Sequence, residues 1–260
     1  MAVLTNQKTL LQIQQEISET CFKKNYPNTV LDVEDQPGIT RLTQLINDAY
    51  QEFSTEYAWS WRFVENGALQ TVAGQQTPYD LADNCEELLW MTIPLYQQRL
   101  WATEFAQWLT NYPGLYTNYG NAKPWTYIEA PYAQNNGKQV YLFPAADGGT
   151  NGAGYQVQYG YMARVPLLVN PTDTIQAPPE YQDAIINRAI LKTWRFVGDA
   201  RAAMYDDSPG KDTYASRRYN NLWIKNQKFA EAVNFWRNIR VERAFTSAMD
   251  INRVLFSYGG

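Results

Sequence analysis

At 260 residues, 45% of them apolar, the chain is long enough to bury a sizeable core in one large or two small domains. Only 18% of residues are charged, while 19 tyrosines and nine tryptophans supply amphipathic aromatic surface of the kind found at protein interfaces. A formal charge of −4 argues against a protein whose main task is wrapping nucleic acid, and the absence of histidine removes Ser-His-Asp and Cys-His nucleophile systems and every His-ligated metal or haem.

The chain opens with a helix capped by Thr5 or Asn6, with Leu10, Ile13, Ile17 and Cys21 on one face. After a polar connection broken by Pro27 and Pro37-Gly38, a second helix carries Leu42, Leu45, Ile46, Ala49 and Phe53 and ends near Tyr57. The period then changes. Trp59, Trp61 and Phe63 alternate with polar neighbours, and Asn66-Gly67 predicts a tight hairpin turn before Ala68–Val72. Gln75–Leu81 reads as a turn and short strand, Leu88–Ile93 as a buried strand, and Trp101–Leu109 as a short helix. Tyr112–Lys123 has no period and is an expected exposed loop. Trp125–Glu129 and Gln139–Phe143 are strands around a second predicted turn, Asn136-Gly137. The glycine-rich loop Asp147–Gly154 leads into the alternating strand Tyr155–Tyr161.

From Pro178 to Arg240 the apolar pattern is longest and most regular. Pro179 suits a first helical position, and Glu180 and Asp183 place negative charge in the first turn. Ile186, Ala189, Ile190, Thr193 and Val197 follow at helical spacing to about Tyr205, and Asp206–Gly210 is a stop and a turn. Ala215, Tyr219, Leu222, Asn226, Phe229, Val233 and Trp236 then alternate steps of four and three, the mark of one helix face packed into the domain's own core. Together these predict an antiparallel helical hairpin. Between Lys211 and Arg243 there are eight Lys/Arg against three Asp/Glu, a net +5 that leaves −9 for the rest of the chain.

The fold class expected is therefore α+β: a helical body of N-terminal helices (5–57) and a long C-terminal hairpin (179–240), a β-rich insertion (59–161), and an extended C-terminal arm (245–260) outside a single domain of residues 1–244. No segment shows a repeat or a biased linker. Cys21 and Cys85 have neither metal-site nor disulfide-framework spacing. No signal peptide and no run of the ~20 apolar residues needed to span a bilayer is present in the sequence, so no membrane partner is expected.

Chemistry is sparse. The loop Asp147–Gly154 lacks Gly-Lys-Ser/Thr and precedes a strand, whereas a phosphate loop opens a helix. Glu86-Glu87 and Asp206-Asp207 are adjacent carboxylates, the surviving route to acid/base hydrolysis, but each pair reads as surface charge. Aromatics of Asn111–Tyr127 suit either sugar stacking or an oligomer interface. No catalytic, cofactor-binding or metal-ligating residue is assigned.

The order of segments resembles the head-to-tail adaptor (connector) proteins of tailed bacteriophages. The resemblance rests on Trp59-Ser60-Trp61-Arg62, Leu69–Gly74 with Tyr79-Asp80-Leu81, Lys123–Tyr127, Val140–Pro144, Tyr155–Tyr161 and, above all, Ala177-Pro178-Pro179-Glu180-Tyr181 leading into Ala184-Ile185-Ile186. It covers roughly residues 10–235. What it implies is a non-enzymatic virion protein made in the host cytoplasm. Such a protein forms a ring, commonly dodecameric, docked below the portal, joined to a downstream tail or nozzle protein, and passing double-stranded DNA without reading it. The competing readings are a tail-associated carbohydrate-binding module and a carboxylate-dependent accessory hydrolase.

The arm carries the expected site. Phe245, Met249, Ile251, Val254, Leu255, Phe256 and Tyr258 offer more apolar surface than a free tail should expose, with Arg253 at the rim. Ile251, Val254, Leu255 and Tyr258 also fit the spacing of a helix packed on its own body. The resemblance favours the first alternative, an arm that orders on the portal or a neighbouring subunit.

Overall fold

A computed structural model describes residues 7–22, 38–111, 120–130, 138–149, 152, 154–206 and 213–257, with side chains in the last helix described as far as Arg237. The chain divides into two compact units, residues 1–62 with 165–230, and residues 63–164 with 231–260.

The first unit is helical. Helix α1 spans Leu10–Phe22 and α2 Ile39–Glu56. Thr9 caps α1, the expected Thr5 and Asn6 lying outside the described residues: its hydroxyl accepts from the Gln12 N–H (3.3 Å) while the Gln12 side chain accepts from the Thr9 N–H (2.9 Å), a reciprocal capping box. Leu10, Ile13, Ile17 and Cys21 are buried on one face, as their spacing predicts, and Leu42, Ile46, Ala49, Tyr50 and Phe53 meet them from α2. Fully burying a Leu or Ile side chain stabilises by about 1.5–3 kcal/mol, and Gln14 of α1 adds a hydrogen bond to the Thr43 hydroxyl of α2 at 2.8 Å.

In the second half of this unit, Pro178 precedes a helix, α4 (Pro179–Val197; the intervening α3 is given below), with Pro179 in its first turn. It stops eight residues short of the predicted Tyr205, because Gly198 adopts φ 72° and its N–H returns to the carbonyls of Trp194 and Arg195. A 3₁₀ segment, Ala200–Tyr205, follows. Helix α5 spans Tyr214–Ser257, so residues 245–257 continue the helix where the sequence predicted an extended arm. Its predicted stripe is its packed face: Ala215, Tyr219, Leu222, Asn226 and Val233 are buried, and Phe229 and Trp236 half-buried. Lys225 pairs with Glu180 (2.6 Å), and Arg218 with Asp183.

Trp59 sits at the centre of this unit. Its ring stacks on Phe53 (4.9 Å, 4°), meets Tyr181 and Tyr219 edge-on, and donates its Nε1–H to the Phe53 carbonyl at 2.6 Å. Trp59–Arg62 is accordingly a turn with a 3₁₀ segment, Ser60–Arg62, and not the predicted strand. The indole is consumed by the helical core, so the alternation of aromatics here reflects two sides of a turn.

The second unit is a seven-stranded sheet: β1 (Phe63–Gln70), β2 (Tyr79–Asp80), β3 (Cys85–Ile93), β4 (Gln98–Ala102), β5 (Thr126–Glu129), β6 (Gln139–Phe143) and β7 (Gln156–Ala163), in the spatial order β1-β7-β3-β4-β5-β6-β2. All neighbours are antiparallel except β4 and β5, which run parallel. Their crossover contains helix α3 (Phe105–Asn111), starting four residues later than predicted because Trp101 belongs to β4. Tyr127, Leu142, Val140, Met91 and Val157 line the main core, while Ile128 and Phe143 on the other face pack under Trp108 of α3.

The predicted Asn66-Gly67 hairpin is absent: both residues lie inside β1, which pairs with β7 rather than folding back on itself. A register shift between Val64 and Gly67 marks a bulge, and Gly67 faces Tyr159, whose ring atoms would stand 2.4 Å from an added Cβ. The glycine makes room for a ring and closes no turn. Asn136-Gly137 lies outside the described residues, as do residues 112–119 of the predicted loop, but β5 and β6 on either side of the second turn do pair antiparallel.

Candidate functional site

The expected interface residues Phe245, Met249, Ile251, Arg253, Val254, Leu255, Phe256 and Tyr258 have side chains outside the described residues. What is described is the run of α5 leading to them. Val233 is buried, the Arg99 guanidinium of β4 lies 4.3 Å over the Trp236 ring, and Arg237 donates through Nε and Nη2 to the two oxygens of Glu87 on β3 at 2.7 and 2.6 Å. A two-point guanidinium–carboxylate pair fixes direction as well as distance, and the cation over the indole adds a third anchor. Glu87 holds the Arg237 charge above its ordinary range. Glu87 therefore serves an ion pair, where the sequence reading left it as surface charge.

The glycine-rich loop is closed on itself. The Asp147 carboxylate accepts from the Tyr155 hydroxyl (2.6 Å) and the Gly149 N–H (3.0 Å), which hold its pKa below the usual range, and the Gly154 N–H donates to the Gly148 carbonyl at 2.7 Å. Burial and that carboxylate push the Tyr155 phenol up to about 12. Gly154, at φ +75°, passes so close to the Thr71 carbonyl that no side chain fits. The loop opens β7 and no helix, as expected from sequence, and its one carboxylate is already engaged. Among the described residues no three Cys, Asp or Glu side chains are grouped to hold a metal ion, and no helix is long and apolar enough to cross a membrane.

What the described surface offers instead is exposed apolar side chains on firm backbone. In the helical unit the extended segment 165–169 lies along α2, where Asn47 accepts from the Leu168 N–H (2.8 Å) and donates to its carbonyl (2.9 Å), and Gln51 donates to the Val165 carbonyl (3.0 Å). Leu168 is buried, and Leu167 and Val169 project outward. On α5, Tyr214 and Ile224 lie exposed off the packed stripe, with Ile224 on the opposite side of the helix. In the sheet unit, the 3₁₀ turn Pro94–Tyr96 exposes Leu95 and Tyr96 at the end where β1 leads to exposed Val72, with Lys123 over the Tyr96 ring at 4.5 Å. Sequence reasoning found none of these as surface. For α5 the signal was present, since the register that defines the stripe also places Tyr214 and Ile224 off it. For Leu167-Leu168-Val169 there was none, because three successive apolar residues do not say which one faces inward.

Among curated proteins none matches the chain. A family model described as SU10 adaptor protein matches residues 8–223, from just before α1 into α5, and so takes in all seven strands of the sheet unit and most of the helical unit. The match agrees with the phage-adaptor resemblance read from Trp59–Arg62 through Ala177–Tyr181, and with a structural virion component. The chain belongs to the SU10 adaptor protein family.

Proposed function

We propose that this chain is the subunit of a head-to-tail adaptor ring, dodecameric like the adaptors it resembles, which docks on the portal, joins the DNA-filled head to a downstream tail or nozzle protein and forms part of the DNA channel. The family match across both compact units carries the reading. It is supported by aromatic, apolar side chains exposed on pinned backbone, a surface suited to permanent neighbours. In this reading residues 1–244 act as one subunit, α4 and α5 form its helical hairpin, and DNA meets the lumen only through phosphate contacts. DNA binding should then be weak, indifferent to sequence and steeply lost with added salt; salt-resistant, sequence-dependent binding contradicts a passive channel.

The arm, residues 245–260, is the portal or neighbour grip, with Phe245, Met249, Ile251, Val254, Leu255, Phe256 and Tyr258 as anchors and Arg253 at the rim. Deleting it tests the assignment. The truncated chain is expected to fold with near-unchanged thermal stability and to fail to join filled heads; a truncated chain that assembles normally, or that unfolds, contradicts it.

A further inference from the structure

The helical unit carries two exposed apolar patches whose charges are opposite. On α5, Tyr214 is 74% exposed and Ile224 66%, and Arg217 and Lys228 lie on the same outward face. Along α2, Leu167 is 60% and Val169 72% exposed. Beside them is the Asp173 carboxylate, which accepts from the N–H groups of Val169 and Asn170 at 2.7 Å each. Those two donors hold the Asp173 carboxyl below the usual range, so it is charged at neutral pH.

We infer that copies of this chain join head to tail through these two faces, Tyr214, Ile224 and Lys228 of α5 on one copy seating against Leu167, Val169 and Asp173 of the next. The inference rests on the ring reading above and names its subunit contact. A second copy is the occupant because each patch supplies what the other lacks: apolar with basic on one side, apolar with acidic on the other. Pairing either patch with itself would set like charges together, which disfavours a two-fold dimer and favours the unlike contact that closes into rings. Both patches are also preorganised, one by a helix, the other by the Asn47, Gln51 and Asp173 hydrogen bonds, so little chain entropy is lost on docking.

The test uses three full-length proteins, the wild type, Ile224→Asp and the double variant Leu167→Asp/Val169→Asp, with native mass spectrometry on each alone, on an equimolar mixture of the two variants, and on each with portal rings. All the altered side chains are exposed, and circular dichroism confirms that each variant folds. The inference expects wild-type oligomers, each variant monomeric alone, and a one-to-one heterodimer in the mixture, because each variant keeps the face that the other has lost. Wild-type rings that persist in both variants, variants that fail to pair when mixed, or a loss confined to Ile224→Asp overturn this contact and leave the ring reading standing. A wild type that never associates, alone or on portal rings, overturns both.

Discussion

At the scale of single residues, two polar or small side chains do work that their types conceal. Gly67 looks like a turn former, yet it faces the Tyr159 ring, and Tyr159 cannot swing away cheaply because its hydroxyl accepts from the Ala82 N–H at 2.9 Å. Gly67→Ala is therefore expected to destabilise the sheet unit by about 1–3 kcal/mol, the range of overpacking, measured by urea denaturation; an unchanged midpoint would mean that the ring has free space. Asn226 is the polar member of an otherwise apolar stripe. It is buried, donates to the Ala58 carbonyl at 2.8 Å and accepts from the Ser60 N–H at 2.9 Å, so it ties α5 to the turn that delivers Trp59. Asn226→Leu would improve the apolar pattern but strand both backbone groups, at a cost of about 1–3 kcal/mol for each buried group left unpaired. A stabilised Asn226→Leu would show the hydrogen bonds to be incidental.

At the scale of elements, helices were legible wherever a stripe ran for three turns or more, as in α1, α2 and the described part of α5, because burial on one face imposes a period that nothing else produces. Their ends were less so: Thr9 caps α1 four residues beyond Asn6's neighbour Thr5, and Gly198 ends α4 early. In the sheet, β2, β3, β5, β6 and β7 follow from alternation and β-branched or aromatic content, but among the pairings only that of β5 with β6 did. The partner of β1 is β7, some ninety residues away. Asn-Gly is a local signal, and here the long-range requirement for space under a ring overrides it. The expected arm site lies beyond Arg237, the last residue of α5 whose side chain is described. The two faces of α5 can be separated by mutation: Leu222→Ala on its packed face is expected to cost about 2–5 kcal/mol, whereas Ile224→Ala on the outward face should change stability by less than about 0.5 kcal/mol, both read from chemical denaturation. Equal effects would show that α5 is packed on both sides.

At the scale of the whole molecule, the two units divide the roles proposed for the chain. The helical unit supplies the opposed faces proposed to join neighbours, and the sheet unit holds the run of α5 that leads to the arm through Val233, Trp236–Arg99 and Arg237–Glu87. Because that ion pair is partly exposed, it contributes at most about 1 kcal/mol and acts by direction more than by strength. Glu87→Gln should consequently leave the melting temperature almost unchanged while speeding amide exchange around Arg237, and protection equal to wild type would assign the anchoring to packing alone. The central claim, a ring subunit seated on the portal, is tested most directly by the native mass of portal particles incubated with the full-length chain. The account expects a single discrete increase equal to one closed ring of copies per portal, absent when residues 245–260 are removed; a portal mass that stays unchanged at saturating chain, or that rises in a graded and open-ended series, would contradict it.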